Sequence, residues 1–444
     1  MSDLISSRYL FLVIDSDNTF CQDESKFCWR SYFSQAIKAE TPTHGIKQKG
    51  KYPMKSLVCQ NAQLQIEELP KLTPAKGQVL LEVVRCGICG SDLHMQHHCD
   101  HMHDLAKRVG FNGVAKSSDK LVFGHEFCGK VLDYGPKTRR KLKADTLVCA
   151  MPLLNVDPQG YVPTGLSPSA SGGYAEQVLV QSSLMFEVPN GLDADSAALT
   201  EPMAVALHAV RRSRIKKSEP AIVVGCGPVG LGVILMLKAA GVKTVIASDF
   251  SPNRRRLAEQ CGADVLIDPK EQSPFSSWKE LGLLGNVSEA INMGMGIFDK
   301  VQTFSLPWVN AMRVGDKLGL LPKRPVIFEC VGVAGIMQQI LEGAPLFSRI
   351  VGVGVCMQSD KIEPALAINK ELEIQYVLGY TPLEFRDTLH MIAEGKVNCS
   401  PLLTGVVGLE GVNNAFAALR DPEQHAKILI DPKRAGSEIQ LIKA

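Results

Sequence analysis

One stretch of sequence decides the fold: Gly225-Cys226-Gly227-Pro228-Val229-Gly230, which follows the short apolar run at 221–224. Gly225 can make a tight turn after a strand, and Gly227 lets the backbone approach a pyrophosphate. Gly230 lets the following helix pack closely on the strand, and the N-terminus of that helix stabilises phosphate charge. The stretch therefore predicts a dinucleotide-binding turn.

The sequence around this turn predicts a parallel sheet. From residue 221, apolar strand patterns alternate with helical patterns, which is typical of βαβ units. Gly241 stands where the first helix should end, and Ser251 offers an N-cap for the second. The strand pattern resumes at 325–330, after a segment at about 272–324 that reads as irregular. We expect an α/β fold with a Rossmann doubly wound parallel sheet.

Asp249 bears on the choice between NAD and NADP. It follows the second strand of the pattern, where an acidic side chain accepts hydrogen bonds from the adenosine ribose. Its carboxylate would repel a 2′-phosphate, which favours NAD. Three arginines nearby leave NADP open, although a solvated helix face is the expectation for two of the three: Arg254, Arg255 and Arg256.

Composition excludes several other classes of protein. With 45% hydrophobic and 21% charged residues, the 444-residue chain can bury the cores of two large domains. A net charge of +2 predicts neither a nucleic-acid nor a membrane partner, so small molecules are expected. The 13 cysteines form no regular framework, which indicates reduced thiols and a cytoplasmic location. No apolar run is long enough to span a bilayer.

A second constellation begins at Cys86-Gly87-Ile88-Cys89-Gly90-Ser91-Asp92-Leu93-His94. Its C-x-x-C pair could be a redox disulfide, half of a structural zinc site, or one ligand beside a bystander. The β-rich surroundings disfavour a thioredoxin-like disulfide, and no convincing second pair follows. His125 and Glu126 lie further on, and Glu201 later still; a thiolate, an imidazole and a carboxylate make a plausible zinc set with an open position. Spacing alone does not join them.

The order of these motifs resembles one family. CGICGSDLH, GHEFCG, a GGYAEQVLV run, TEP and GCGPVG follow one another as in the zinc-dependent medium-chain alcohol dehydrogenases, in the branch of sorbitol, butanediol and threonine dehydrogenases. The resemblance covers nearly all of residues 54–433. It implies a mostly-β GroES-like catalytic domain beside the Rossmann domain, and a homo-oligomer.

The resemblance also implies a division of the chain. We expect an N-terminal extension of unknown role, a GroES-like catalytic zinc domain, a Rossmann NAD-binding domain, and a C-terminal segment that returns to the catalytic domain. Their bounds are, in order, 1–53, 54–204, 205–377 and 378–444.

Metal ligands are carried over by motif. Cys89 resembles the thiolate ligand because it directly precedes Gly-Ser-Asp, and His125 resembles the imidazole ligand. The carboxylate stays open: Glu126 follows the ligand histidine as in the polyol branch, whereas Glu201 falls where the family often places its remaining ligand. One would bind directly, and the other through water or by exchange.

Ser91 and His94 match the residues that pass the substrate proton towards solvent. The implied reaction is reversible hydride transfer between NAD and a secondary alcohol or polyol. Cys149 is followed by no cysteine until Cys226, so the lobe that holds a structural zinc in many relatives is missing and one catalytic zinc is expected. A zinc-free quinone or enone reductase, or a silent NAD-binding regulator, is the alternative, but either would have no need of Cys89.

The long segment between Cys89 and His125 contains a cluster of histidines and one cysteine. We expect a solvated loop here, with a lining of the active-site mouth or an adventitious metal site as alternatives. His208 is expected to be a packed or hydrogen-bonded helix residue. The residues of this cluster between Cys89 and His125 are His97, His98, Cys99, His101 and His103.

Overall fold

The computed structural model describes residues 53–303, 307–317 and 323–442. The predicted N-terminal extension, apart from its last residue, therefore lies outside the described residues. No helix among the described residues combines the length and apolar character needed to cross a bilayer.

Short, mostly antiparallel strands build the chain up to residue 187. They are β1 (Pro53–Gln60), β2 (Gln63–Pro70), β3 (Gln78–Gly87), β4 (Leu121–Val122), β5 (Glu126–Tyr134), β6 (Leu147–Ala150), β7 (Leu153–Val156), β8 (Gly160–Pro163), β9 (Gln177–Gln181) and β10 (Met185–Glu187). β3 pairs with both β5 and β9, while β1 lies between β2 and β4. The longest helix of this part, α1 (Gly90–Arg108), joins β3 to β4.

The prediction of a solvated loop between Cys89 and His125 is wrong for residues 90–108, which form helix α1. The helix buries Met95 and Cys99, and Met102 packs against the same core. These three apolar residues stand at i, i+4 and i+7, the spacing of one helical face. The histidines between them hid this stripe, because they make the segment look polar throughout.

A six-stranded parallel sheet forms the second half of the fold. Its strands are β11 (Ala221–Val224), β12 (Val245–Ser248), β13 (Val265–Ile267), β14 (Val326–Glu329), β15 (Arg349–Gly352) and β16 (Glu373–Tyr376). Across the sheet they run β13-β12-β11-β14-β15-β16, all parallel. This strand order is that of the predicted Rossmann sheet. The chain adds strands to one side of β11 and then, from β14 onwards, to the other side, and such sheets bind their ligands at this switch point.

Helices precede and cover this sheet. They are α2 (Ala194–Ala197), α3 (Thr200–Ser213), α4 (Pro228–Ala239), α5 (Pro252–Gln260), α6 (Val287–Gln302), α7 (Trp308–Lys317), α8 (Ile336–Gly343) and α9 (Pro364–Asn369). The predicted helix signals are confirmed: Gly241 has φ +79° just beyond α4, and the Ser251 side chain accepts a hydrogen bond from the Arg254 N–H.

The prediction that residues 272–324 are irregular is wrong in part. Helices α6 and α7 lie within this segment, and the side chain of Asn286 caps the first of them. Phe298 packs edge-on against Trp308, with ring centroids 5.2 Å apart. Gly294 and Gly296, which have low helix propensity, interrupt the helical pattern of α6, although its apolar residues lie on one face.

The C-terminal part returns to the antiparallel sheet. Its elements are α10 (Pro382–Ala393), β17 (Leu403–Val407), α11 (Val412–Ala418), β18 (Lys427–Ile430) and β19 (Gln440–Leu441). β18 lies between β17 and β3, and pairs Ile430 with Cys86 and Leu429 with Gly87. This pairing brings Lys427, at the start of β18, next to the motif that follows β3.

Candidate active site

Cys89 lies at the N-terminus of α1, directly after the end of β3. The Asp92 carboxylate accepts a hydrogen bond from the Cys89 N–H at 3.0 Å and another from the Tyr174 hydroxyl at 2.8 Å. Asp92 is completely buried. Its two hydrogen bonds fix the first turn of the helix and therefore the position of the Cys89 thiol.

His125 faces this turn from the start of β5. Its Nε2 lies 3.2 Å from Ser91 Oγ, and its Nδ1 lies 3.4 Å from Asp92 Oδ1. Burial alone would lower the pKa of His125, but the charges of Asp92 and Cys89 outweigh it and raise the pKa well above its usual value. The pocket thus favours positive charge at the imidazole.

Cys89, His125 and Glu126 each offer a ligand atom, and these atoms all lie within 4.8 Å of one another. The buried atoms His125 Nδ1 and Asp92 Oδ1 have no hydrogen-bond partner among the described residues. A thiolate, an imidazole and a carboxylate are the ligand types that Zn²⁺ takes, and an aspartate behind the histidine is a common outer partner. The residues present therefore fit a zinc ion.

Glu126 is held by a buried lysine. Lys427 Nζ donates to both carboxylate oxygens of Glu126, at 2.8 and 2.7 Å, and to the Ile88 carbonyl at 2.9 Å. Lys427 and Glu126 are both buried almost completely, with side chains 1% and 0% exposed. Sequence reasoning missed Lys427; the only signal was a charged residue at the head of the apolar strand KILI.

Glu201 approaches from α3 and is held by a different partner. The Tyr380 hydroxyl donates to Glu201 Oε1 at 2.8 Å. Burial raises the pKa of Glu201 to about 7, although the charge of His125 opposes the increase. The ligand cluster among the described residues contains Glu126 and not Glu201. The two candidate carboxylates are thus distinguished by their partners, a lysine for one and a tyrosine for the other.

His94 lies one turn beyond Ser91 on α1. Its ring is exposed and stands 6.4 Å from the ring of His98, centroid to centroid. Partial desolvation and the neighbouring His98 lower the pKa of His94. Ser91 is in contact with His125, whereas His94 reaches the solvent.

The glycine-rich turn lies between β11 and α4, at the point where strand order reverses. Gly225 has φ +89°, and a side chain there would lie 2.6 Å from Val331 Cγ2. A side chain on Gly230 would overlap the Gly225 carbonyl oxygen, whereas Gly227 faces open space. The open space at Gly227 leaves room for a phosphate at the N-terminus of α4, whose first residues are Pro228 and Val229.

Asp249 lies beside this turn. Its carboxylate accepts hydrogen bonds from the Cys226 N–H at 2.7 Å and the Ser251 N–H at 2.8 Å. Arg254 Nη1 stands 4.0 Å from the same carboxylate, and its buried Nε has no hydrogen-bond partner among the described residues. Arg255 donates to the backbone carbonyls of Asp249 and Phe250 and pairs with Asp268. Arg256 donates to Asn253.

Comparison with known proteins identifies the family. A family model described as the alcohol dehydrogenase GroES-like domain matches residues 75–190, and one described as a zinc-binding dehydrogenase matches 228–301. The (R,R)-butanediol dehydrogenase of Bacillus subtilis (strain 168) is 30% identical over 384 residues, which are 83% of this chain and 95% of that protein. This chain belongs to the zinc-dependent medium-chain dehydrogenase/reductase family, in its alcohol and polyol dehydrogenase group.

Two further comparisons agree with this assignment. The sorbitol dehydrogenase of Bos taurus is 26% identical over 366 residues, covering 80% of this chain and 89% of that protein. The crystal structure of 2R,3R-butanediol dehydrogenase from Bacillus subtilis has a TM-score of 0.65 at 28% identity, covering 86% of this chain and all of that one. The predicted GroES-like and Rossmann fold class is confirmed, and the protein is a zinc-dependent dehydrogenase with a nicotinamide cofactor.

One histidine outside the site behaves as the sequence predicts. His208 Nδ1 lies 2.9 Å from Glu384 Oε2, so it is a hydrogen-bonded residue of α3. Side-chain partners of the site were harder to foresee. Lys427 and Tyr380 lie far along the chain from the residues they hold, and no motif marks them. Tyr174 stands in the GGYAEQVLV run, but that motif gives no sign of its hydrogen bond to Asp92.

Proposed function

We propose that this protein transfers a hydride reversibly between NAD and a secondary alcohol or polyol, with short vicinal diols as the first substrates to test. The cluster of Cys89, His125 and Glu126 carries the proposal, because a zinc ion there would activate an alcohol. The substrate class rests on relatives named for butanediol and sorbitol, both of which contain neighbouring hydroxyl groups. Oxidation of one such hydroxyl gives an α-hydroxyketone.

Each ligand has a proposed role. Cys89 and His125 bind the metal, and Glu126 is the carboxylate that binds it directly, supported by its place in the cluster. Glu201 acts through water or by exchange, held ready by Tyr380. Zinc, when bound, supplies a Lewis acid that lowers the pKa of the substrate hydroxyl. The zinc contents of the Glu126→Gln and Glu201→Gln variants test which carboxylate binds the metal directly. We expect Glu126→Gln to lose more zinc than Glu201→Gln.

Ser91 and His94 are proposed to carry the substrate proton to solvent. Ser91 lies next to the ligand histidine, and His94 is exposed with a lowered pKa, so its neutral ring can accept a proton near pH 7. The cofactor turn and Asp249 would hold NAD, which would supply the hydride acceptor for alcohol oxidation.

Replacing His94 with glutamine should therefore lower kcat for alcohol oxidation by roughly 100-fold at pH 7, the typical contribution of a positioned base. Added imidazole should restore part of the rate, because a small base can take the proton instead. His97→Gln is the matched control: it lies on the same helix, where Arg420 donates to it at 2.9 Å, and its kcat should stay at the wild-type value. Equal kcat for His94→Gln and wild type would remove His94 from the reaction.

NAD is the proposed cofactor because Asp249 places a carboxylate beside the turn. Asp249→Asn keeps an oxygen for the Cys226 N–H but removes the negative charge, so the preference for NAD over NADP should fall at least about tenfold. The ratio of kcat/KM for the two cofactors measures this. Asp264→Asn, on the same sheet but paired with Lys238, should keep the wild-type ratio. An unchanged ratio in Asp249→Asn would assign cofactor choice to other residues.

We further propose one catalytic zinc per chain and no structural zinc, supported by the lack of cysteines between Cys149 and Cys226. A homo-oligomer is supported by the exposed edge strand β16, where Tyr376 is 67% exposed and the nearby Leu378 is 90% exposed. Light scattering of the purified protein tests the assembly. A cytoplasmic location rests on the unpaired cysteines.

The division at 54–204, 205–377 and 378–444 is likewise a proposal. The pairing of β18 with β3 supports a C-terminal segment that rejoins the catalytic domain. Small alcohols or polyols are the proposed partners.

A further inference from the structure

The exposed face of α1 carries a pair of histidines that the proposed reaction does not fully use. His94 and His98 stand four residues apart on α1, and the helix is kinked at His98, which has φ −125° and ψ 25°. Their rings are nevertheless neighbours, with centroids 6.4 Å apart and planes inclined by 38°. Two neighbouring imidazoles are ligands that zinc, nickel and copper ions take.

The ring nitrogens of His94 and His98 are available to bind a ligand. Among the described residues, neither His94 nor His98 has a hydrogen bond or ion pair, and both are exposed. His101, three residues further on, is exposed and free in the same sense. The ordinary alternative, histidines that serve as local hydrogen-bond partners, applies instead to His103, whose Nδ1 lies 2.7 Å from the Val114 carbonyl.

We propose that His94 and His98 form a second site for a divalent transition-metal ion, separate from the cluster around Cys89, and that an ion bound there slows turnover. Water completes the coordination. For both imidazoles to bind one ion, a nitrogen of each ring must come within about 2.0–2.1 Å of it, so the two rings must turn towards a common point. Exposed side chains can make this shift by rotation. The lowered pKa of His94 keeps its ring in the neutral form that binds metal.

The charges around α1 single out this pair. His97 and His101 also stand at i and i+4, beside a surface groove of about 410 Å³. However, Arg420 Nη2 lies 2.9 Å from His97 Nε2, so a guanidinium already occupies that nitrogen and repels a cation. The pair of His94 and His98 has no such cation against it in the described structure.

Slower turnover follows from the chemistry of imidazole, and this part rests on the proposed role of His94. A neutral imidazole that binds a metal through one nitrogen carries its hydrogen on the other. Metal-bound His94 therefore has no lone pair with which to accept the substrate proton. Imidazole ligands select zinc, nickel and copper ions over magnesium, so ions of the first kind should inhibit and magnesium should not.

The test is a titration of the zinc-loaded, full-length protein with Ni²⁺ by calorimetry, with zinc content measured before and after. Wild type and His97→Gln should each bind one Ni²⁺ per chain and keep their zinc, and Mg²⁺ should give no binding. His98→Gln should bind Ni²⁺ at least about tenfold more weakly while keeping the wild-type kcat in the absence of nickel. Equal Ni²⁺ affinity in His98→Gln and wild type, or no Ni²⁺ bound beyond the catalytic site, would overturn the proposal.

A rate measurement under the same conditions separates metal binding at His94 and His98 from inhibition by the bound ion. Ni²⁺ should lower kcat of wild type and of His97→Gln, and the rate should return on dilution, whereas His98→Gln should resist the same concentration. Ni²⁺ that binds in a His98-dependent way without slowing turnover would overturn the inhibitory part and the relay role of His94. The zinc-dependent reaction at Cys89 would be unaffected by that result.

Discussion

Cys89→Ala is expected to abolish zinc binding and to lower kcat/KM for alcohol oxidation by at least about 1,000-fold. Cys89 contributes the only thiol of the ligand cluster, whose atoms lie within 4.8 Å of one another in the described structure. A Lewis acid contributes several kcal/mol to such a reaction, and each 1.36 kcal/mol changes the rate tenfold. Elemental analysis of the purified variant and steady-state kinetics measure the two effects.

Cys86→Ala is the matched control for this variant. Cys86 lies three residues earlier in the same motif and is fully buried, with its thiol directed to the Gly87 carbonyl. It is absent from the ligand cluster. Cys86→Ala should therefore keep one zinc and nearly the wild-type rate. If Cys89→Ala retained both zinc and turnover, or Cys86→Ala lost both, the thiolate would be wrongly assigned.

Lys427→Met is expected to cause the largest loss of stability of any single change in the site. In metal-free protein the substitution leaves the Glu126 carboxylate buried without a cation, which typically costs about 3–5 kcal/mol. We expect the melting temperature to fall by about 5 °C or more, as measured by circular dichroism. Zinc content should also fall, because Lys427 fixes the position of Glu126, the carboxylate proposed to bind the metal.

A double variant separates lost charge from lost packing. Glu126→Gln removes the charge that Lys427 balances, so the pair Lys427→Met and Glu126→Gln should be more stable than Lys427→Met alone. Lys433→Met is a surface control, since Lys433 forms an exposed ion pair with Glu82 and should cost less than about 1 kcal/mol. Equal melting temperatures for Lys427→Met and wild type would mean that the buried pair does not stabilise the site.

The cofactor turn could be predicted from the sequence because its chemistry is local. Gly225, Gly227 and Gly230 act within six residues, and each has the open or crowded surroundings that its proposed role requires. The capping role of Ser251 is likewise decided by its immediate neighbours. Local rules of this kind need no knowledge of the rest of the fold.

The metal cluster needed the tertiary fold. Cys89 and His125 come together because β3 and β5 are paired, and Lys427 joins them because β18 lies on the other side of β3. Residue spacing holds no information about these pairings. Only the order of motifs shared with a family could unite Cys89 and His125, and that order says nothing of Lys427 or of the Tyr380 hydroxyl on Glu201.

The two wrong predictions have different physical origins. Helix α1 has a narrow buried stripe, which includes Met95 and Cys99, between histidines and aspartates that suggest a loop. Helix α6 does have an apolar face, but residues on it such as Ile291 and Met295 are exposed, and the glycines within the helix have low helix propensity. Both features weaken the helical signal on which a sequence prediction depends.

We propose that zinc held by Cys89, His125 and a carboxylate drives alcohol oxidation by NAD. The most direct measurement is NADH formation from 2,3-butanediol by the same protein before chelation, after removal of the metal, and after return of zinc. We expect one zinc per chain in the active protein, loss of activity with the metal, and recovery when zinc is restored. Full activity in protein shown to be free of metal would contradict the claim.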